Sequence, residues 1–138
     1  MHSKSIGWPN GLSLCHITKR LFWVDAKLDV IESCDRDGGN RVQLNKLYAP
    51  HPFSISVFED FVYWTDWMTM AIHRAHRLTG LQHSVLLNSS HRLMGLQVSA
   101  FIDRSGFRAD IPCLRISFFP ASKRRHSRFH SKNCLLLT

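Results

Sequence analysis

The sequence predicts an all-β chain in which four-stranded units stack face to face, and three observations predict it. The tetrad Tyr63-Trp64-Thr65-Asp66 has an earlier echo in Phe22-Trp23-Val24-Asp25, 41 residues before it. The lead-ins to the units repeat at the same interval, Leu96 lying 41 residues after Ile55 and Val98 41 after Val57. No segment of residues 1–98 sustains a 3.6-residue apolar period, so helices are not expected there. A fixed period of about 20–50 residues marks a propeller, solenoid or array, and four short strands in about 40 residues is the size of a propeller blade.

The first unit opens on Gly7-Trp8-Pro9-Asn10-Gly11, a Pro-marked turn leading into the alternating Leu12 and Leu14. Its strands are predicted near Leu12–Cys15, Leu21–Asp25, Val30–Cys34 and Arg41–Leu44. The second unit opens on His51-Pro52-Phe53, with strands near Phe53–Phe58, Phe61–Thr65, Ala71–Ala75 and Ser84–Leu87. A third lead-in runs through His91-Arg92-Leu93-Met94-Gly95 to Val98. Between strands lie Thr18-Lys19-Arg20, Asp35-Arg36-Asp37-Gly38-Gly39-Asn40, Glu59-Asp60 and Leu78-Thr79-Gly80. Glycine supplies positive φ in such segments, and Asp and Asn close local side-chain turns.

The apolar fraction of 44% suits a globular chain. The formal charge of +8 is unevenly spread, because residues 99–138 hold 8 of the 18 Lys and Arg but 2 of the 10 Asp and Glu. Residues 7–98 are therefore read as the repeat region, with blades over about 7–50 and 51–90 and a third lead-in over 91–98, and residues 99–138 as an irregular basic tail. No apolar run reaches the roughly 18 residues of a membrane helix, and Met1–Gly7 lacks the apolar core of a signal peptide. Cys15, Cys34, Cys113 and Cys134 form no CxxC. A strand separates Cys15 from Cys34, which puts them beyond disulfide reach, so both are read as buried free thiols.

The tetrads together with Gly7-Trp8-Pro9-Asn10-Gly11-Leu12, Arg20–Asp29, Asp35–Arg41, Phe58-Glu59-Asp60-Phe61-Val62 before Tyr63, and Ile72–Gly80 resemble the YWTD (class B) repeats of the low-density lipoprotein receptor family. The wording is nearest to its megalin- and vitellogenin-receptor-like members. The resemblance covers residues 7–98. It implies two blades, plus the start of a third, of a six-bladed β-propeller, placed among the last blades before an EGF-like module. It further implies a part in protein–protein interaction and in ligand uptake and release at the extracellular side of the plasma membrane and in endosomes, with the membrane reached through a parent receptor's transmembrane segment. The chain departs from the family pattern at Leu93 and Gly95, where Pro and Asp are usual, and at Cys15, where Asp is common.

In a blade of this kind Phe22, Trp23, Tyr63 and Trp64 suit the wedge between neighbouring blades, since each buries about 150–250 Å². Val24 and Thr65 complete the repeat motif. Asp25 and Asp66 are expected to accept hydrogen bonds from an adjacent strand or blade. Because both carboxylates recur at repeat spacing, repeat roles are favoured over a catalytic pair. Asp35–Asn40 fails the EF-hand pattern and reads as a hairpin turn. His73 and His76 point to opposite faces of a strand, which argues against a shared metal. These two, with His16, His51, His83 and His91, are read as solvated surface residues. In the family, propeller histidines take part in acid-triggered ligand release, but the sequence assigns that to no single histidine here. Asn88-Ser89-Ser90 is a glycosylation sequon on a predicted inter-blade loop.

No nucleophile elbow, HExxH or P-loop occurs, so neither an enzyme, a small-molecule substrate, a metal nor a cofactor is expected. The leading reading is a partial extracellular interaction module, its partners protein ligands, neighbouring blades or EGF-like modules. The alternatives are a truncated or alternatively spliced product without receptor function of its own, and a nucleic-acid-binding protein acting through Lys123-Arg124-Arg125-His126, Arg128 and Lys132, with Phe118, Phe119 and Phe129 available to stack. No RNA-binding signature accompanies those residues, which disfavours the last. Two blades leave apolar faces uncovered, so marginal stability or association is expected of the chain alone.

Overall fold

The computed structural model describes residues 5–44, 48–102, 106, 108–118 and 135–136. Its regular structure is β throughout these residues, in three antiparallel sheets. The first has β1 (Pro9–Leu14), β2 (Leu21–Asp25), β3 (Val30–Cys34) and β4 (Val42–Gln43) in sequential order. The second repeats it with β5 (Pro52–Phe58), β6 (Phe61–Asp66), β7 (Ala71–His76) and β8 (Ser84–Asn88). The third is β9 (Leu93–Ile102), β10 (Arg108–Phe118) and β11 (Leu135–Leu136).

Register makes the repeat explicit. Leu12 faces Trp23 and Leu14 faces Leu21 in the first sheet. Ile55 faces Trp64 and Val57 faces Val62 in the second, and Leu96 faces Ile116 and Val98 faces Leu114 in the third. The first two sheets also share a register shift two residues into the opening strand, between Pro9 and Gly11 and between Pro52 and Ser54. The sheets are thus successive blades, with β1, β5 and β9 side by side as inner strands.

Two apolar wedges join them. Cys15, Phe22, Val24, Ile31, Leu44 and Ala49 of the first blade meet Ile55, Val57, Val62, Trp64 and Ala75 of the second. Tyr63, Ile72, Phe58 and Leu87 of the second meet Leu93, Leu96, Val98 and Leu114 of the third. Alternation along each strand sends Phe22 and Tyr63 to the rear face of their blade and Trp23 and Trp64 to the front.

The third unit is larger than its lead-in suggests. β9 continues past Val98 to Ile102 and pairs with β10, so residues 99–102 and 108–118 are strand where an irregular tail was expected. The reason is alternation: Leu114 and Ile116 can cover Leu96 and Val98 without any tetrad. Cys15 and Cys34 are buried free thiols, as the strand between them dictates, whereas Cys113 is disulfide-bonded. Lys123, Arg124, Arg125, His126, Arg128, Lys132, Phe119 and Phe129 lie outside the described residues.

Candidate functional site

All eight tetrad residues are buried. Asp25 and Asp66 sit at the ends of β2 and β6, where the chain turns, and each carboxylate faces the amides that come next. Asp66 Oδ1 accepts from the N–H of Met68 at 2.9 Å and of Thr69 at 3.0 Å, and its Oδ2 accepts from the His51 N–H at 3.0 Å. Asp25 Oδ1 accepts from Lys27 at 3.0 Å, Leu28 at 3.1 Å and Trp8 at 2.9 Å, and Oδ2 accepts from Gly7 at 2.6 Å. Trp8 and His51, Lys27 and Met68, and Leu28 and Thr69 occupy equivalent repeat positions. The turns close on equivalent left-handed residues, Asp29 at φ 55° and Met70 at φ 52°.

These bonds select between the two partners expected, an adjacent strand or an adjacent blade. Neither carboxylate reaches a neighbouring blade; each ties the turn after its strand to the lead-in of its own blade. Burial works against the charge of Asp25, but the amides of Trp8, Gly7, Leu28 and Lys27 outweigh it and hold the carboxyl below its ordinary range. A carboxylate saturated in this way is a structural anchor, not a proton-transfer group.

Serines of the inner strands, which sequence reasoning missed, bond one blade to the backbone amides of the next. Ser13 Oγ accepts from Val57 N–H at 3.1 Å, and its repeat equivalent Ser56 accepts from Val98 N–H at 3.0 Å. Ser54 Oγ accepts from Leu96 N–H at 3.1 Å. The available signal was small hydroxyls alternating with apolar residues on the first strand of each unit. Between the inner strands runs an open groove of about 650 Å³, reached by Ser13, His16, Ser56, Gln97 and Ser99.

Trp64 packs in a stack with His73, at 5.1 Å between ring centroids, and His83 at 5.6 Å. His73 Nδ1 and His83 Nε2 are 3.0 Å apart, and His73 Nε2 lies 2.7 Å from Thr69 Oγ1. His73 is buried, which overturns its reading as a surface residue, while His16, His83 and His91 are exposed and His51 and His76 half-buried. Burial first, and the neighbouring His83 second, push the His73 imidazole below its ordinary value despite the opposing charge of Asp66. The indole N–H groups of Trp23 and Trp64 are both buried without an acceptor among the described residues, in keeping with a packing role. Trp67, just beyond the second tetrad, is more engaged. Its Nε1 donates to Leu93 O at 3.0 Å, and its ring stacks on Phe53 at 4.1 Å and under Arg92 at 5.0 Å.

Asp35–Asn40 is the hairpin turn between β3 and β4. Gly38 takes φ 86°, and the Asp35 carboxylate is engaged by Arg20 and Asn40 rather than left open for a cation. Asn88 is exposed and ends strand β8, one residue short of the loop it was assigned to. Among the described residues no cluster of His, Cys, Asp and Glu is arranged to hold a metal, and no helix is long and apolar enough to cross a membrane.

Blades with equivalent tetrads, equivalent carboxylate bonds and serine-linked inner strands define a partial β-propeller of the YWTD type. No family model matches the chain. It is similar to the vitellogenin receptor Yl of Drosophila melanogaster, 38% identical over 84 residues, covering 61% of this chain and 4% of the receptor. It is also similar to the human low-density lipoprotein receptor-related protein 5-like protein, 43% identical over 74 residues, covering 54% of this chain and 29% of that protein. The match thus spans a small part of the first and under a third of the second. In fold it is similar to a chain of the nidogen/laminin complex, with TM-score 0.60 and 20% identity over 85% of this chain and 46% of that one. Streptogramin B lyase is similar at TM-score 0.54 and 15% identity, over 80% of this chain and 34% of the lyase. Both likenesses are of fold, and both neighbours are β-propellers. The chain thus resembles the YWTD repeats of the low-density lipoprotein receptor family in sequence, and a β-propeller in fold.

Proposed function

We propose that the chain serves as part of the extracellular propeller of a lipoprotein-receptor-like endocytic receptor, contributing protein-contact surface for ligand uptake and release. The observation that carries this reading is the pair of tetrads holding equivalent carboxylate bonds in successive blades, in a chain whose named relatives are receptors. The buried tetrads supply a rigid frame, and contact with protein ligands or EGF-like modules falls to the exposed loops and the inner-strand groove. Membrane attachment would come through the parent receptor, on the extracellular side of the plasma membrane and in endosomes. The exposed Asn88 is accessible to glycosylation in that compartment.

A chimera tests this. Residues 7–98 replace the matching stretch of the Drosophila vitellogenin receptor, and surface display and uptake of labelled vitellogenin are measured in insect cells. The expected result is surface display with uptake retained. Display without uptake would remove the receptor role while leaving the fold intact, and retention inside the cell would refute the equivalence of the blades.

A further inference from the structure

Arg77 is a buried charge that neither the tetrads nor the serine links explain. It follows β7 at the end of the second blade away from the Asp66 carboxylate, and it is 7% exposed. Its amide donates to Asp60 O at 2.9 Å, its Nε to Glu59 O at 2.8 Å and its Nη2 to Asp60 Oδ1 at 3.0 Å. Those bonds fix the guanidinium without balancing its charge. The Asp60 side chain is 66% exposed, so water screens it, and Nη1 is buried with no acceptor among the described residues. A cation held in this way calls for a buried counter-charge.

Cys15 lies in the wedge that Arg77 adjoins, packed with Val62 and Ala75 of the second blade. It follows β1 where the chain turns back. Its N–H donates to Arg20 O at 2.9 Å, its carbonyl accepts from the Lys19 N–H at 2.8 Å, and Lys19 takes φ 59°. That turn aims donors at the sulfur: the Thr18 hydroxyl and the amides of Thr18 and Ile17 all donate to Sγ. The two amides stand two and three residues on, as Lys27 and Leu28 stand to Asp25 and Met68 and Thr69 to Asp66. The turn thus treats the Cys15 sulfur as the other turns treat their carboxylates. Burial works against a charge there, but the Thr18 hydroxyl and amide, the Ile17 amide and the Arg77 guanidinium outweigh it and hold the thiol below its ordinary 9.0.

We propose that Cys15 stands in the fold as a thiolate at neutral pH, and that its charge, paired with that of Arg77, clasps the first blade to the second at the end away from the tetrad carboxylates. The contact is one of charge rather than a direct hydrogen bond, since Nη1 keeps no acceptor. It completes a division of labour along the joint. The tetrad carboxylates tie each blade to its own lead-in, the serines bond neighbouring inner strands, and the Cys15–Arg77 pair holds the remaining end. With the sulfur only 2% exposed, the thiolate is a structural anion and not a nucleophile open to solvent. The inference concerns the joint between blades and does not depend on the receptor role.

The ultraviolet absorbance of the thiolate, followed against pH in the full chain, tests this, because the difference between the parent and Cys15→Ser isolates the Cys15 step. The step is expected well below 9.0. Arg77→Gln, which keeps a donor for Glu59 O, should raise it by about 1 unit. Asp60→Asn, at an exposed side chain, should lower it, since the guanidinium then has the sulfur as its remaining counter-charge. Stability gives a second readout. Cys15→Asp, close in volume and charged, should keep the urea midpoint, whereas the neutral Cys15→Ser should lose about 1 M. A step at or above 9.0, or one that Arg77→Gln leaves in place, would overturn the proposal. So would a stable Cys15→Ser beside a weakened Cys15→Asp, the pattern of a neutral buried thiol. Should Arg77→Gln fail to fold, Asp60→Asn decides, and a step that it does not lower would rule out the pair.

Discussion

Replacing Asp66 with asparagine changes one atom of a buried side chain and should unsettle the whole second blade. The retained Oδ1 can still accept from Met68 and Thr69. The new amide nitrogen, however, faces the His51 N–H that Oδ2 now receives at 3.0 Å, so two donors meet. Losing a charge-assisted bond costs about 1.5–3 kcal/mol, and a buried donor without an acceptor about 1–3 kcal/mol. Part of each overlaps, giving about 3 kcal/mol for Asp66→Asn. Asp66→Ala strips all three amides and should cost about 4–5 kcal/mol, near the whole stability of a small domain. The flipped amide offers no relief, because it would point its nitrogen at two donors instead of one. Urea titration followed by circular dichroism measures both variants. Asp25→Asn provides the comparison: its Oδ2 partner is Gly7, in a lead-in beside the exposed Ile6 and Trp8 that can fray, so about half the cost is expected. An Asp66→Asn protein within about 0.5 kcal/mol of the parent would refute the argument that the carboxylate anchors the turn to the lead-in.

Ser56→Ala should cost about 1 kcal/mol by leaving the Val98 amide without its acceptor, and hydrogen exchange at Val98 should accelerate while Val24 stays protected; equal protection at Val98 would count against the serine link. The depressed His73 imidazole favours the neutral ring in the fold, so its contribution is complete above the ordinary value of 6.5 and is lost as pH falls below it. The thermal midpoint should therefore drop as pH falls below about 6.5, and His73→Phe should flatten that drop, the facing groups being His83, Thr69, Trp64 and Asp66. The Asp25 carboxyl, held below 3.8, contributes stability above that value that is lost at lower pH, so Asp25→Asn should remove part of the acid limb seen below pH 4 and leave the histidine limb in place. Glu32→Gln should cost about 2 kcal/mol by breaking the 2.6 Å pair with Arg41, whose guanidinium also lies 5.1 Å over the Trp23 ring; an unchanged urea midpoint would show that desolvation cancels the pair.

Much of this architecture was legible because the two tetrads repeat both residue type and spacing. Trp64 and Phe22 had to be buried, and the register that buries them follows from alternation once the strands are placed. The partners of Asp25 and Asp66 stayed open between an adjacent strand and an adjacent blade, because the sequence alone does not show which amides a strand-end carboxylate faces. At the end of β6 the nearest unpaired amides are those of the following turn, two and three residues on. The third blade was hidden for a different reason. Ile116 stands where Trp64 stands in the second blade, so no tetrad marks the strand, and only the alternation of Leu114 and Ile116 was there to be read. His73 was misplaced because a polar ring on a strand looks solvated until its aromatic neighbour is known. The serine links left a weak trace, three small hydroxyls among many, and gain their meaning from what lies across the inner strands.

Those serines also guard the protein against its own edges. An inner strand at the rim of a sheet is a template on which a stray strand can add, and that is how β proteins aggregate. Here the amides of Val57, Leu96 and Val98 are already bonded to hydroxyls of the preceding blade. At the opposite rim β4 is two residues long and gives an incoming strand little to hold. The side chains that align one blade with the next thus also withhold the main chain from strangers, so Ser56→Ala should be judged by its fibre formation as well as by its melting.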